Sequence, residues 1–133
     1  MQSIVYATNF TPASLTAAPV AIALAQEFEA RLTVMHVLED YSNLDERPGP
    51  IESGGQQLQA VVPENTALAY APEIVMEYGP AWRRIVKTAA ERNADLIVLG
   101  ARLADGTTHV PWTTVHRVVA NATCPVLTVT KRA

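Results

Sequence analysis

Five short apolar runs rich in β-branched residues recur along the chain, and they restrict its fold more than any other feature. They are Ser3-Ile4-Val5-Tyr6-Ala7 and residues 32–37, 73–78, 96–99 and 126–130. Leu96-Ile97-Val98-Leu99 shows no polar alternation, which predicts a strand covered on both faces. The third run sets Glu73, Val75 and Glu77 against Ile74, Met76 and Tyr78, the pattern of a half-exposed strand near a sheet edge.

Helical patterns fill the intervals. Within residues 12–28, Leu15, Ala18, Ile22, Ala25 and Phe28 form one stripe at spacings of three and four. Thr11 followed by Pro12 reads as an N-cap with proline at the first helical position. Pro19 then falls inside this helix and is expected to bend it. Residues 80–93 repeat the pattern with Ile85, Val86, Ala89 and Ala90, opening on Pro80 and closing near Asn93. Residues 112–122 do so with Val115, Val118, Val119 and Ala122. The interval 38–72 is less legible: its acids and Pro48-Gly49-Pro50 read as a solvated loop. A short helix is expected from Ile51 to Val62, weakened by Gly54 and Gly55 and ended by Pro63.

Strands alternating with helices predict an α/β fold, an open doubly wound five-stranded parallel sheet with helices on both faces. A length of 133 residues fits one domain over 1–133. Ligands of such sheets bind beyond the carboxyl ends of the strands. The segments to watch are therefore 8–12, 36–39, 78–80 and 100–114.

Composition narrows the class of partner. An apolar share of 49% and a charged share of 17% describe a globular chain rather than a disordered one. The net charge of −3, with no visible basic patch, argues against nucleic acid and anionic membranes as partners. Cys124 is the single cysteine, so no internal disulfide forms and a reducing compartment is expected. With no signal-peptide pattern and no run of 18 apolar residues, the expected location is cytoplasmic.

At its strand ends the chain resembles the universal stress proteins. Ile4-Val5-Tyr6-Ala7-Thr8-Asn9-Phe10-Thr11 resembles their opening strand and loop, and residues 31–37 their second strand. Ala94-Asp95-Leu96-Ile97-Val98-Leu99-Gly100 resembles the fourth, and Cys124-Pro125-Val126-Leu127-Thr128-Val129 the last. The resemblance implies a Rossmann- or flavodoxin-like sheet of order 3-2-1-4-5. It also implies a homodimer formed through the last strand, here Val126, Leu127, Thr128, Val129 and Thr130.

Members that bind ATP carry G-x2-G-x9-G-[S/T] after the fourth strand and an acidic residue after the first. Here Gly100 keeps the first position, Leu103 and Thr113 replace the second and third glycines, and Thr114 keeps the hydroxyl. Asn9 stands where those members usually have aspartate. Glycines in such loops let backbone N–H groups approach phosphate, and Leu103 and Thr113 do not. ATP bound in the family's usual way is therefore not expected. Arg102 and the hydroxyls of Thr107, Thr108, Thr113 and Thr114 still suit an anion, although a polar loop opening a helix can equally serve as its cap.

The segment His109-Val110-Pro111-Trp112-Thr113-Thr114-Val115-His116-Arg117 is the most distinctive in the chain. Its two histidines lack a third ligand nearby, so no metal site is expected. His36 ends the second strand and can face the same cleft. No P-loop, nucleophile elbow or zinc-protease motif is present. Cys124 reads as an inert core thiol. Arg83 and Arg84, after Trp82, read as a solvated face or a partner contact.

The combined expectation is a non-enzymatic stress-response homodimer that acts by binding, with an altered nucleotide cleft and protein partners of unknown identity. The alternative is a switch that binds ATP or another adenine nucleotide. It would place Ala7, Thr8, Asn9 and Val37 around the base, with Gly100, Arg102, Leu103, Thr113 and Thr114 along the phosphates.

Overall fold

The computed structural model describes residues 1–38, 48–102 and 111–131, leaving aside the side chains of residues 13, 48–54, 102, 111–113 and 131. The strands are β1 (Ser3–Ala7), β2 (Arg31–Leu38), β3 (Glu73–Tyr78), β4 (Leu96–Arg102) and β5 (Val126–Lys131). The helices are α1 (Pro12–Leu15), α2 (Ala18–Phe28), α3 (Pro48–Val61), α4 (Ala81–Glu91) and α5 (Pro111–Asn121). All neighbouring strands pair in parallel, in the order β3-β2-β1-β4-β5. This is the doubly wound sheet that the alternating pattern predicts.

Period-two alternation divides the sheet between two cores. Ile4, Tyr6, Leu32, Val34, Leu96 and Val98 pack with the alanines of α2 and with Leu58 of α3. Val5, Ala7, Met35, Ile97 and Leu99 pack with Ile85 and Ala89 of α4 and with Val115 and Val118 of α5. Central β1 is buried at every residue; residues 96–99 of β4 are buried and β3 at one edge is only half-buried, as their sequences predict. Burying one such aliphatic side chain contributes roughly 1.5–3 kcal/mol.

Two sequence expectations change. The helix over 12–28 is two helices, α1 and α2, with Thr16 and Ala17 between them. Pro19 does not bend a continuous helix; it lies in the first turn of α2, where its missing N–H leaves no bond unmade. The buried stripe also rotates: Ala17, Ala18, Ala21 and Ala25 face the core, while Leu15 and Phe28 are 38% and 48% exposed. The large side chains under α2 come from the sheet, Tyr6, Leu32 and Val34 among them, so the helix contributes small ones. The second change concerns α3, which starts at Pro48, inside the expected loop, because proline is compatible with a first helical turn.

The helices leading into β2 and β4 end alike. Glu29 and Asn93 both take φ of 51°, the left-handed conformation that closes a helix. Ala30 N–H then donates to Ala25 O and Ala94 N–H to Ala89 O, each at 2.9 Å. The next residue on each side bonds to the start of β1: Arg31 N–H donates to Gln2 O at 2.9 Å, and Asp95 N–H to Ser3 O at 2.7 Å. Asp95 also accepts through Oδ2 from the N–H groups of Gln2 (2.6 Å) and Ser3 (3.0 Å).

Candidate functional site

The carboxyl ends of β1, β2 and β4 meet at one rim of the sheet. The register sets Ala7 beside Met35 of β2 and Leu99 of β4, so Val37 and Gly100 lie just beyond it on either side. Ala7 is buried, and Val37 packs half-buried against the core beneath α4 and α5. Thr8 is buried and Asn9 exposed. Gly100 lies inside β4, paired with Val129, because the strand runs on to Arg102 instead of ending at Leu99. Its φ is not among the positive ones, so the backbone there does not demand glycine. Thr114 is half-buried on α5. Leu103 and the side chains of Arg102 and Thr113 lie outside the described residues, as does His109.

The loop after β1 is held by its own hydroxyl and amide side chains. Thr11 caps α1, accepting from Ser14 N–H at 3.2 Å. Asn9 Oδ1 accepts from both Thr11 N–H (3.1 Å) and Thr11 Oγ1 (2.7 Å). Phe10 N–H donates to Thr8 Oγ1 at 3.0 Å, and Asn9 N–H to Ser14 Oγ at 3.3 Å. Ser14 Oγ spends its proton on Thr11 O, so in the 2.8 Å contact between the two hydroxyls Thr8 is the donor. Three consecutive backbone N–H groups, of Asn9, Phe10 and Thr11, are thus satisfied by side chains of the loop and of Ser14 on α1. They are not turned toward an anion.

Below this loop, Tyr6 donates its phenol proton to Ser14 O at 2.6 Å, and burial pushes the phenol above its ordinary pKa. His36 reaches across from β2, its Nδ1 2.8 Å from Thr8 O and its ring 4.6 Å from that of Phe10. Phe10 itself takes φ of 65°, an uncommon conformation for a bulky residue. The sequence pattern did not single out Ser14. The available signal was the spacing Thr11-x-x-Ser14, a capping arrangement with a hydroxyl three residues after the cap.

The rim can offer an apolar floor from Ala7 and Val37 and the two Nδ2 protons of Asn9, whose Oδ1 is occupied. The described residues contain no group of three or more His, Cys, Asp or Glu side chains able to hold a metal ion. Cys124 lies away from the rim, half-buried beside Val126, and burial pushes its thiol pKa up. A groove of about 610 Å³ between α2 and residues 61–67 is mostly apolar, and Gln26 there already donates to Ala67 O at 3.1 Å. Among the described residues no helix is long and apolar enough to cross a membrane.

The sheet order agrees with one known family throughout the chain. The family described as Universal stress protein family matches residues 1–130. The chain belongs to the universal stress proteins. A universal stress protein of Methanocaldococcus jannaschii is 31% identical over 146 residues, covering 98% of this chain and 82% of that one. Among solved structures, a universal stress protein in complex with cAMP superposes with a TM-score of 0.74 at 20% identity, covering 98% of both chains. A family protein from Arabidopsis thaliana with AMP bound gives a TM-score of 0.71 at 18% identity, covering 100% of this chain and 94% of that one. At those identities the likeness shows the fold of this universal stress protein, a Rossmann-like α/β sheet, and nothing finer.

Proposed function

We propose that this universal stress protein is a single-domain cytoplasmic homodimer that acts by binding and not by turnover. The observation that carries the reading is the self-satisfied β1 loop. The N–H groups of Asn9, Phe10 and Thr11 bond to side chains of Thr8, Asn9 and Ser14, so that side of the rim offers a phosphate no backbone cradle. Leu103 and Thr113, where ATP-binding relatives have glycine, support the same conclusion. For the dimer, support comes from the sheet order, which puts β5 at an edge where Leu127 is 37% exposed. The residues assigned to the interface are Val126, Leu127, Thr128, Val129 and Thr130.

A second reading is favoured by the AMP and cAMP seen with similar folds. The cleft then takes an adenine nucleotide, with Ala7, Thr8, Asn9 and Val37 at the base and Gly100, Arg102, Leu103, Thr113 and Thr114 at the phosphates. Calorimetric titration with ATP, AMP and cAMP, with and without Mg²⁺, separates the two. No heat at millimolar nucleotide supports binding through protein contacts alone. Saturable binding that is lost in Asn9→Ala and Leu103→Glu makes the protein a nucleotide sensor. Steady release of phosphate that those variants abolish would overturn both readings.

A further inference from the structure

The charges of this chain are segregated along the sequence. Residues 1–78 hold ten carboxylates against Arg31 and Arg47, a net −8. Residues 79–133 hold eight Lys and Arg against Glu91, Asp95 and Asp105, a net +5. The second stretch supplies α4 and α5, which pack side by side over the same face of the sheet. The overall −3 hides this, and the expectation that no basic patch exists does not hold for the α4–α5 face.

Trp82 joins the two helices there. The guanidinium of Arg83 on α4 lies 5.4 Å from the centroid of its ring, and that of Arg117 on α5 lies 5.8 Å from it. Lys87 follows Arg83 by one helical turn and is exposed, as are Arg83 and Arg117. Arg84 keeps its Nε buried without a hydrogen-bond partner among the described residues. Glu91 is the one carboxylate on α4, α5 has none, and Glu91 is paired with Arg92.

We infer that the α4–α5 face, centred on Trp82, Arg83 and Arg117, is a docking surface for an acidic protein segment that also carries apolar side chains. This gives a surface and a partner chemistry to the binding reading above, on which it rests. Charge complementarity selects the acid. The tryptophan between arginines selects a protein, because tryptophan and arginine are the residues that dominate protein interfaces. A nucleic acid is a long, uniformly charged polymer, and the exposed Arg83, Lys87 and Arg117 offer it only a short basic patch. A short acidic segment fits a patch of that extent.

The test is fluorescence anisotropy at low salt with a labelled peptide that repeats Glu-Leu-Glu-Glu, compared with a DNA duplex of similar charge. The peptide should bind, and Arg83→Glu and Arg117→Glu should each weaken it about fivefold or more, near 1 kcal/mol. Arg31→Glu changes net charge equally but lies on β2 against Tyr70, and it should leave binding within about twofold. Amide shifts in the unmodified protein should cluster at residues 82–87 and 116–120, which keeps the test valid even if a variant misfolds. Equal losses in all three variants, no peptide binding, or tighter binding of the duplex would each overturn the inference. Nucleotide is absent throughout, so a failed nucleotide titration and a failed peptide titration remain distinguishable.

Discussion

The Nδ1 atom of His36 lies 2.8 Å from the carbonyl oxygen of Thr8, which ties the end of β2 to the first residue of the loop after β1. A carbonyl only accepts, so Nδ1 carries the proton in this contact. The same loop residue donates its own N–H to Met35 O at 2.9 Å, so Thr8 is bonded to β2 twice. One of the side chains that orient the rim therefore belongs to the neighbouring strand and not to the loop.

Replacing His36 with alanine removes one of these two bonds and the ring beneath Phe10. Urea denaturation should show a loss of about 1–2 kcal/mol. Amide exchange should quicken at residues 9–11 well before it does at Val5 or Ile97. Uniform quickening across the sheet would mean that His36 supports the whole fold and not the loop.

Ser14→Ala strikes the centre of the loop network. The donors Thr8 Oγ1–H and Asn9 N–H both lose their acceptor. Unsatisfied donors at a buried site make this the costlier change, about 2 kcal/mol by chemical denaturation. Ser14→Thr keeps the hydroxyl and should recover more than half of that if its extra methyl is accommodated.

Gly55 sits within α3, and a methyl group added there would meet nothing within 4 Å. Glycine inside a helix costs roughly 0.5–1 kcal/mol relative to alanine. Gly55→Ala should therefore raise the melting temperature by about 2–4 °C in a thermal scan. An unchanged or lower value would mean that this glycine serves something other than helix formation.

Two carboxyl groups are held below their ordinary pKa: Asp95 by the N–H groups of Gln2 and Ser3, and Glu73 by the hydrogen bonds from Arg92 at 2.6 and 3.1 Å. A depressed folded-state pKa gives stability that is complete above the unfolded value, about 4, and is lost as pH falls through the folded one. The stability gap between wild type and Asp95→Asn should stay constant from pH 7 to about 5 and close below about 4. Both groups are largely exposed, so solvent screening keeps the gap small. A gap that widens toward acid would reverse the sign assigned here.

The strands were legible because parallel strands buried on both faces leave nearly unbroken apolar runs, as 4–6 and 96–99 do. Thr11, Pro12 and Asn93 marked helix ends correctly, since caps are local chemistry. The break at Thr16 and Ala17 was not legible: Leu15 and Phe28 carry the larger hydrophobic signal, yet the core takes the alanines. Side-chain size, set by what Tyr6 and Leu32 already fill, decides that competition, and periodicity alone does not report it. At the rim, the strand order sets Ala7, Thr8, Asn9, Val37 and Gly100 at one end of the sheet. The hydroxyl hub at Ser14 was missed because its partners lie in a loop that has no periodicity.

The paired helix ends at Glu29 and Asn93 give β1 two unequal ends. Its start is bolted to both neighbours by Arg31 and Asp95, through turns of the same design with different residues. Its far end is held by side chains of residues 8–14 and by His36 of β2. The joints that assemble the sheet and the hydrogen bonds that shape the rim are thereby separated by the length of one strand.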